Sequence, residues 1–413
     1  EAVRLLPLVV ELLEVVTQRR RVFGRALGQR LHVGQRLRRR CVKCRHTIVE
    51  PLPTLNKTVI YLDQLALSEM FKAKAGLMNA AAPHKAFWEE CAAVIERLLL
   101  LQQAVFPASN IHLSETIPFR HGDALRRAYE AIGGGVAFQD TMSIEHRQVI
   151  RFAEAFLAGG NRPALSFDID DILMGARNVW LPTLRVGVNA DYSHIADEVR
   201  AARDASADTM KEIAERWQRE KPSFEQAVAA EINQYGPAHK QARQRALMRV
   251  LEGGGFAAMM DAALGQANVL YVHLKEFFRR QGVADADIEA RIDAFLDWNG
   301  LAELPVHRIG VYMFAGLARK MAAGQKRLPS RGMLNDVNVI ACYAPYVDAM
   351  FVDNECANLL REEPLRSELR YRAQIFSLNS GADFLAYLRA MEAATPDEVK
   401  AIAAEIYRVA SVA

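Results

Sequence analysis

The sequence predicts an α/β fold in which a parallel sheet carries a large, all-helical insertion. Two parts of the chain, 58–139 and 331–413, alternate short apolar segments with stretches of helical periodicity. The Ala-rich middle, 140–330, has helical spacing over most of its length. Two of the apolar segments end at an aspartate, which is typical of the ligand-binding edge of a parallel sheet. We therefore expect the two outer parts to form one sheet.

The first α/β part begins with a buried strand that ends at Asp63. Its β-branched and aromatic residues favour a strand over a helix. A capping pair, Ser109 and Asn110, begins a later helix, and Pro118 should interrupt that helix before it ends at Gly133. The elements predicted before that helix are, in order, a strand over Thr58–Leu62, helices over Ala66–Ala75 and His84–Gln103, and a strand over Ala104–Phe106.

The middle and the last part follow the same rules of periodicity. The clearest helices of the insertion are Ala196–Trp217, Phe224–Leu251, Phe256–Gln281 and Ala284–Trp298. In the last part, the predicted elements are a helix over Asn335–Tyr343, a strand over Ala349–Val352 that ends at Asp353, a strand over Gln374–Leu378, and helices over Ala382–Ala393 and Pro396–Val409.

Charge is distributed unevenly along the 413 residues, although the net charge is only +3. Residues 1–57 contain 13 basic and 4 acidic side chains, whereas the remainder contains 39 basic and 45 acidic ones. We predict that 1–57 forms a basic, flexible arm able to contact nucleic-acid phosphates. The 51% of hydrophobic residues excludes a chain that is disordered throughout.

Cysteine usage and hydropathy predict a cytoplasmic protein without a membrane partner. The five cysteines are an odd number with one close pair, which indicates a reducing compartment. No run of 18 uncharged apolar residues is long enough to span a bilayer. The close pair, Cys41-x-x-Cys44-x-His46, resembles half of a zinc site, and the sequence shows no second pair to complete it.

Four carboxylates are expected to meet at the carboxyl edge of the sheet. Asp63 and Asp353 follow strands, Asp336 lies at a helix start, and Glu115 lies in the first turns of a helix. Oxygen ligands of this kind favour Mg²⁺ or Mn²⁺ over zinc. Individually, each residue has another interpretation: a helix cap, a turn residue or a solvated first-turn acid. Asp348 is either a cap of the turn at Pro345 or a fifth carboxylate of the site.

Three segments resemble the opening and closing motifs of PIN-like domain nucleases, which have a Rossmann-like parallel sheet. They are Thr58–Ser68, Leu334–Ala341 and Tyr346–Asp353. The resemblance implies that Asp63, Glu115, Asp336 and Asp353 are catalytic, with the three aspartates as metal ligands. It also implies an enzyme that cuts RNA, less often DNA, with Mg²⁺ or Mn²⁺. The insertion before Asp336 is far longer than in compact members of that family.

Two further groups of residues are candidates for substrate binding. Ser109 and His112 share a helix face with Glu115 at a spacing of three. They either contact phosphate or orient Glu115, or they are a capping serine and a structural histidine. The stretch Pro305–Asn335 has six basic residues and no acidic ones, and it leads directly to Asp336.

Lys326, Arg327 and Arg331 of this stretch are therefore expected to hold phosphates. The other interpretation of the stretch is a solvated basic helix face and loop. Taken together, the sequence predicts a metal-dependent endonuclease whose helical insertion shapes access to RNA. The competing hypothesis is a non-catalytic module on the same scaffold that binds nucleic acid or protein. A homo-oligomer, or a protein partner bound through the insertion, is left open.

Overall fold

The computed structural model describes residues 30–33, 35–41, 43–160, 163, 165–181 and 192–407. Its strands are β1 (Arg30–Val33), β2 (Arg36–Arg40), β3 (Thr47–Pro51), β4 (Thr58–Leu62), β5 (Ala104–Val105), β6 (Ala137–Phe138), β7 (Leu173–Met174), β8 (Ala349–Phe351) and β9 (Gln374–Phe376).

Its helices begin with α1 (Gln64–Lys74), α2 (Lys85–Leu100), α3 (Asn110–Thr116), α4 (Gly122–Ile132), α5 (Thr141–Leu157), α6 (Ala196–Glu220), α7 (Phe224–Glu231), α8 (Tyr235–Leu251) and α9 (Gly255–Leu264). They continue with α10 (Gln266–Arg280), α11 (Ile288–Leu296), α12 (Pro305–Ala322), α13 (Met333–Tyr343), α14 (Asn354–Arg361), α15 (Leu365–Glu368), α16 (Gly381–Ala393) and α17 (Asp397–Tyr407).

The central sheet is parallel and has the strand order β5-β4-β8-β9. Thr58 of β4 pairs with Ala104 of β5, and Ile60 of β4 pairs with Ala349 of β8. The first and last parts of the chain therefore share one sheet, and the prediction of a parallel α/β fold is confirmed. Parallel strands need long crossover connections, and here the connection from β5 to β8 contains the whole helical region.

Both faces of the sheet are buried, which explains why β4 is continuously apolar from Val59 to Leu62. Ile60 and Leu62 pack into an apolar core with α1, α2, α4 and α16. Val59 and Tyr61 point to the other face and belong to a second core that extends through the middle helices to α11 and α13. The helical region therefore covers one face of the sheet and is part of its core.

The helical region differs from the sequence prediction in two respects. It is not all-helical, because β7 pairs antiparallel with β6. Two of the predicted helices are also broken. The predicted helix Phe224–Leu251 is divided into α7 and α8, and the predicted helix Phe256–Gln281 is interrupted at Gly265, the cap residue of α10. Gly236 shows how closely α8 is packed, since a Cβ atom there would lie 1.7 Å from the carbonyl oxygen of Leu296.

Part of the predicted flexible arm is folded, which corrects that prediction for residues 30–57. The strands β1, β2 and β3 form an antiparallel sheet. Leu37, Leu52 and Leu55 are buried against Val399 and Ala403 of α17. Arginines dominate the sequence of this segment, so its few apolar positions, which attach it to the globule, give only a weak signal in the sequence pattern. Residues 1–29 lie outside the described part of the chain.

An ion pair also attaches the antiparallel sheet to the rest of the protein. Arg39 of β2 contacts Glu405 of α17 at 2.6 Å and also pairs with Glu50 of β3. Among the helices that the structure describes, none is long and apolar enough to cross a bilayer.

Candidate metal centre

Two aspartates lie side by side where adjacent strands of the parallel sheet end. Asp63 follows β4 and caps α1, because its Oδ1 accepts a hydrogen bond from the N–H of Gln64 (2.6 Å). Asp353 follows β8 and caps α14, with its Oδ1 accepting from the N–H of Cys356 (2.7 Å). Since β4 and β8 are parallel neighbours, both carboxylates lie at the carboxyl edge of the sheet.

Two more carboxylates reach the same place from helices. Asp336 lies in the first turn of α13, and Glu115 lies in α3. Asn335 Nδ2 donates to Glu115 Oε1 (3.3 Å), which joins the two helices. Ligand atoms of Asp336, Asp353 and Cys356 all lie within 4.8 Å of one another. The structure thus brings together the four carboxylates that the sequence selects.

The pKa values of Asp63 and Asp336 reflect burial and the negative charges of the neighbouring carboxylates. Burial, and then the negative charges of Glu115 and Asp353, raise the pKa of Asp63 to about 7. Burial, and then the charges of Asp63, Asp353 and Glu115, raise the pKa of Asp336 to about 10. Burial also raises the pKa of Glu115, although Asn335 and the nearby Arg203 oppose the shift.

The donor set fits a divalent cation that prefers oxygen ligands. Four carboxylates gathered at one edge of the sheet repel one another unless protons or a cation neutralise them, and a hard ion such as Mg²⁺ or Mn²⁺ does so with oxygen ligands. Cys356 is a different case, because burial raises the pKa of its thiol well above the ordinary value. Its protonated Sγ lies 3.8 Å from the sulfur of Met333, as a weak donor would. The carboxylates are therefore the ligands that fit.

Sequence reasoning missed Asn335, Arg203, Cys356 and Gln64 at this site. Cys356 lies three residues after Asp353, so helical spacing could have found it. Asn335 is adjacent to Asp336, and Gln64 is adjacent to Asp63 and donates to Thr116 Oγ1 (2.8 Å). Arg203 comes from α6, and no local pattern connects that helix with the carboxylates.

Ser109 and His112 are structural residues, and the prediction that they contact phosphate is wrong. His112 is 1% exposed and Ser109 is 5% exposed. The two form a capping box at the start of α3, and His112 Nε2 donates to the carbonyl oxygen of Leu62 (2.8 Å). The ring of His112 stacks on Tyr61 at 5.1 Å, and burial lowers its pKa to about 4, which keeps it neutral.

His112 nevertheless positions the site, because it joins α3 to the residue that precedes Asp63. We expect His112→Phe to lower the free energy of unfolding by about 2–3 kcal/mol, since the Leu62 carbonyl and the Ser109 N–H lose their buried partner. Urea denaturation measures this change. Ser114→Ala is the control on the same helix and should change stability by less than about 0.5 kcal/mol. Equal losses in the two variants would contradict the positioning role.

The predicted phosphate-binding stretch is largely neutralised by acidic residues from elsewhere. Arg331 pairs with Asp204 of α6. The ion pairs of the preceding helix are Arg308 with Glu303 and Glu368, and Arg319 and Lys320 with Glu362. Lys326 and Arg327 are exposed and, within the described residues, form no ion pair. Only these two therefore keep the predicted role, and the prediction is corrected for Arg331.

Asp348 is not part of the carboxylate cluster. It precedes β8, at the amino edge of the sheet, and its Oδ2 accepts from the N–H of Val59 (2.9 Å). It also pairs with Arg372. Both earlier interpretations, a cap of the turn at Pro345 and a fifth site carboxylate, are replaced by a contact that joins β4 to β8.

Comparison with known proteins adds no relative to this picture. No protein-family model matches the chain, and neither curated proteins nor solved structures show a match to it. The functional argument therefore depends on the carboxylate cluster itself.

Proposed function

We propose that this protein is a metal-dependent endonuclease that hydrolyses phosphodiester bonds, with RNA as its substrate. The observation that carries the proposal is the convergence of Asp63, Glu115, Asp336 and Asp353 at the carboxyl edge of the sheet. Burial, and then repulsion by the neighbouring carboxylates, raise the pKa of Asp63 and Asp336. Bringing such a cluster together without a cation costs folding free energy. The cluster therefore indicates a site that binds a cation. The resemblance to PIN-like nucleases supports RNA as the substrate.

Asp63, Asp336 and Asp353 are the residues that would hold Mg²⁺ or Mn²⁺. When bound at carboxylates, such an ion polarises a phosphoryl oxygen and makes a nucleophile available from water at neutral pH. The caps of α1 and α14 restrict two of these carboxylates, because each accepts a hydrogen bond from its own helix. The ligand positions are therefore set by the ends of two strands that are held in one sheet.

Glu115 is suited to orient the attacking water and to accept its proton. Its Oε1 accepts from Asn335, which restricts the rotation of the carboxylate. Burial raises its pKa, and a base works best when its pKa approaches the working pH. Arg203 lies close enough to lower that pKa in part, and its charge is also suited to an entering phosphate.

Lys326 and Arg327 lie in the stretch that leads to Asp336, are exposed and form no ion pair among the described residues, so they are suited to track the RNA backbone. We expect the double variant Lys326→Glu/Arg327→Glu to weaken RNA binding. The slope of log affinity against log salt should fall by about 0.7 for each phosphate that these side chains no longer neutralise. Fluorescence anisotropy across a salt series measures both quantities with single-stranded RNA.

The matched control reverses two exposed charges at the other end of the sheet. Arg366 and Arg370 are exposed and lie in the segment that leads to β9, whose first residue, Gln374, pairs with Ala349 at the amino edge. Arg366→Glu/Arg370→Glu changes the net charge equally and should leave the salt slope as in the wild type. Equal effects of the two double variants would show that only net charge matters and would remove the patch from the proposal.

The experiment that tests the proposed activity is incubation of the full chain with labelled RNA and DNA in Mn²⁺, beside Asp353→Asn and a metal-free reaction. Internal cleavage of RNA that requires both Mn²⁺ and Asp353 supports the nuclease. Mn²⁺ binding without cleavage of either polymer would instead favour the non-catalytic module.

A further inference from the structure

The tip of the β2–β3 hairpin carries two cysteines that the proposed nuclease site does not use. Cys41 and Cys44 are both exposed free thiols. The N–H of Cys41 donates to the carbonyl oxygen of His46 (2.9 Å), and the N–H of Arg45 donates to the carbonyl oxygen of Cys41 (3.0 Å). Arg45 has a φ of 59°, in the left-handed region, which lets the chain reverse sharply after Cys44. The turn therefore holds the two thiols together at an exposed position.

The turn that carries the two thiols is positively charged. Arg40, Lys43 and Arg45 all lie in it or beside it. A thiolate is the form of cysteine that binds metal.

A structural zinc site needs four ligands, and the described chain brings two to this turn. His46 forms no ligand group with these two cysteines, since the one group of three metal-ligating side chains found among the described residues lies instead around Asp336. The backbone of His32 pairs with that of Leu37 on the neighbouring strand. Leu37 precedes Cys41 by four residues, which corresponds to about 13 Å along a strand, so His32 is too distant to join the two thiols. The segments 1–29, 182–191 and 408–413 contain neither cysteine nor histidine.

The other three cysteines cannot supply the missing ligands, because they are buried in other parts of the fold. Cys91 is in the core between α2 and the sheet, whereas Cys342 and Cys356 are in α13 and α14. Each of them is at most 1% exposed. Within residues 1–413, no further thiolate is therefore placed to reach this turn.

We propose that Cys41 and Cys44 bind Zn²⁺ together with the same two cysteines of a second copy of this chain. Two hairpins meeting at their tips provide four thiolates, the commonest all-cysteine structural zinc set. Four thiolates around Zn²⁺ carry a net charge of about −2, and the cationic residues of the two turns offset that charge. The inference is independent of the nuclease proposal, because it uses no residue of the carboxylate cluster.

The test uses the full chain, purified without added metal or reductant, and measures zinc content together with molecular mass in solution. We expect half a zinc ion per chain and a mass twice the 46.1 kDa of one chain, by elemental analysis and light scattering. Cys41→Ser and Cys44→Ser should each lose the zinc and become monomeric. A zinc chelator should convert the wild type to a monomer in the same way.

Two controls separate this site from its alternatives. Asp353→Asn should keep the zinc, which would show that the ion is not held by the carboxylate cluster. His46→Gln should also keep the zinc. Loss of zinc in that variant would show that His46 is a ligand and would contradict the set of four thiolates. A monomer with one zinc per chain, a zinc-free protein, or a Cys41–Cys44 disulfide seen by mass spectrometry would each overturn the proposal.

Discussion

Replacing Asp353 with asparagine is expected to lower the rate of Mn²⁺-dependent RNA cleavage by about 100-fold or more. Changing a residue that merely supports a metal ligand typically costs 10–100-fold in affinity or activity, so changing a ligand should cost at least that much. Asparagine keeps the shape of the side chain but removes the charge that balances the cation. The rate is measured as initial cleavage of labelled RNA at saturating Mn²⁺.

The same variant should fold normally and should be more stable than the wild type when no metal is present. Asparagine is as good a helix cap as aspartate, so the bond from the Cys356 N–H to this residue can persist. The charge of Asp353 raises the pKa of Asp63 and Asp336, so its removal relieves repulsion at the cluster. Lower activity together with higher metal-free stability is a combination that general misfolding cannot produce.

The matched control is Asp140→Asn. Asp140 caps α5 by accepting from the N–H of Ser143 (2.9 Å), and it is not among the residues that shift the pKa values of Asp63, Glu115 and Asp336. This variant should cleave RNA at close to the wild-type rate. Full activity in Asp353→Asn, or equal losses in both variants, would exclude the assigned role of Asp353.

The sheet and the carboxylates could be predicted because their signals are local. The apolar run of β4 stops at Asp63, and that of β8 stops at Asp353, so strand ends and site residues are adjacent in the sequence. Burial of both sheet faces makes such strands apolar throughout, and this distinguishes them from the amphipathic helices around them. Asp336 follows the same logic, since helix starts in this topology face the same edge.

The remaining features could not be predicted because they depend on partners distant in the sequence. Nothing in the sequence indicates that Arg331 is paired, because its partner Asp204 of α6 lies over a hundred residues away. His112 was a candidate to contact phosphate or to orient Glu115, yet its partner is the carbonyl oxygen of Leu62, which no side-chain pattern reveals. The basic arm looked flexible because charge patterning says nothing about Leu37, which is buried under α17.

Stability should depend on pH and on Mn²⁺ together, with the sign set by the raised pKa values. Asp63 titrates near 3.8 in an unfolded chain and at about 7 in the folded protein. Between these values the folded state holds a proton that the unfolded state has released, so rising pH destabilises the metal-free protein. The pKa of Asp336, raised to about 10, extends this loss to higher pH. The stabilising effect of the protonated cluster is present at acid pH and is lost as pH rises.

Mn²⁺ should reverse this loss, because a cation replaces the protons that the carboxylates must release to bind it. At a concentration of 100–1,000 times its dissociation constant, a ligand of the folded state adds about 3–4 kcal/mol to the free energy of unfolding. We expect the gain in melting temperature from Mn²⁺ to be clearly larger at pH 8 than at pH 5.5. Thermal unfolding with and without Mn²⁺ at the two pH values measures it.

The measured quantity must be the difference that Mn²⁺ makes, because other groups titrate as well. Burial lowers the pKa of His112 and His146 to about 4, so total stability also falls when acid protonates them. Those histidines contribute equally with and without the ion and cancel in the difference. Asp63→Asn should remove most of the Mn²⁺ effect at pH 8. A gain in melting temperature that is independent of pH, or equal in the Asp63→Asn variant, would show that the ion binds elsewhere. If titration calorimetry detects no Mn²⁺ binding at all, the non-catalytic module is the better explanation.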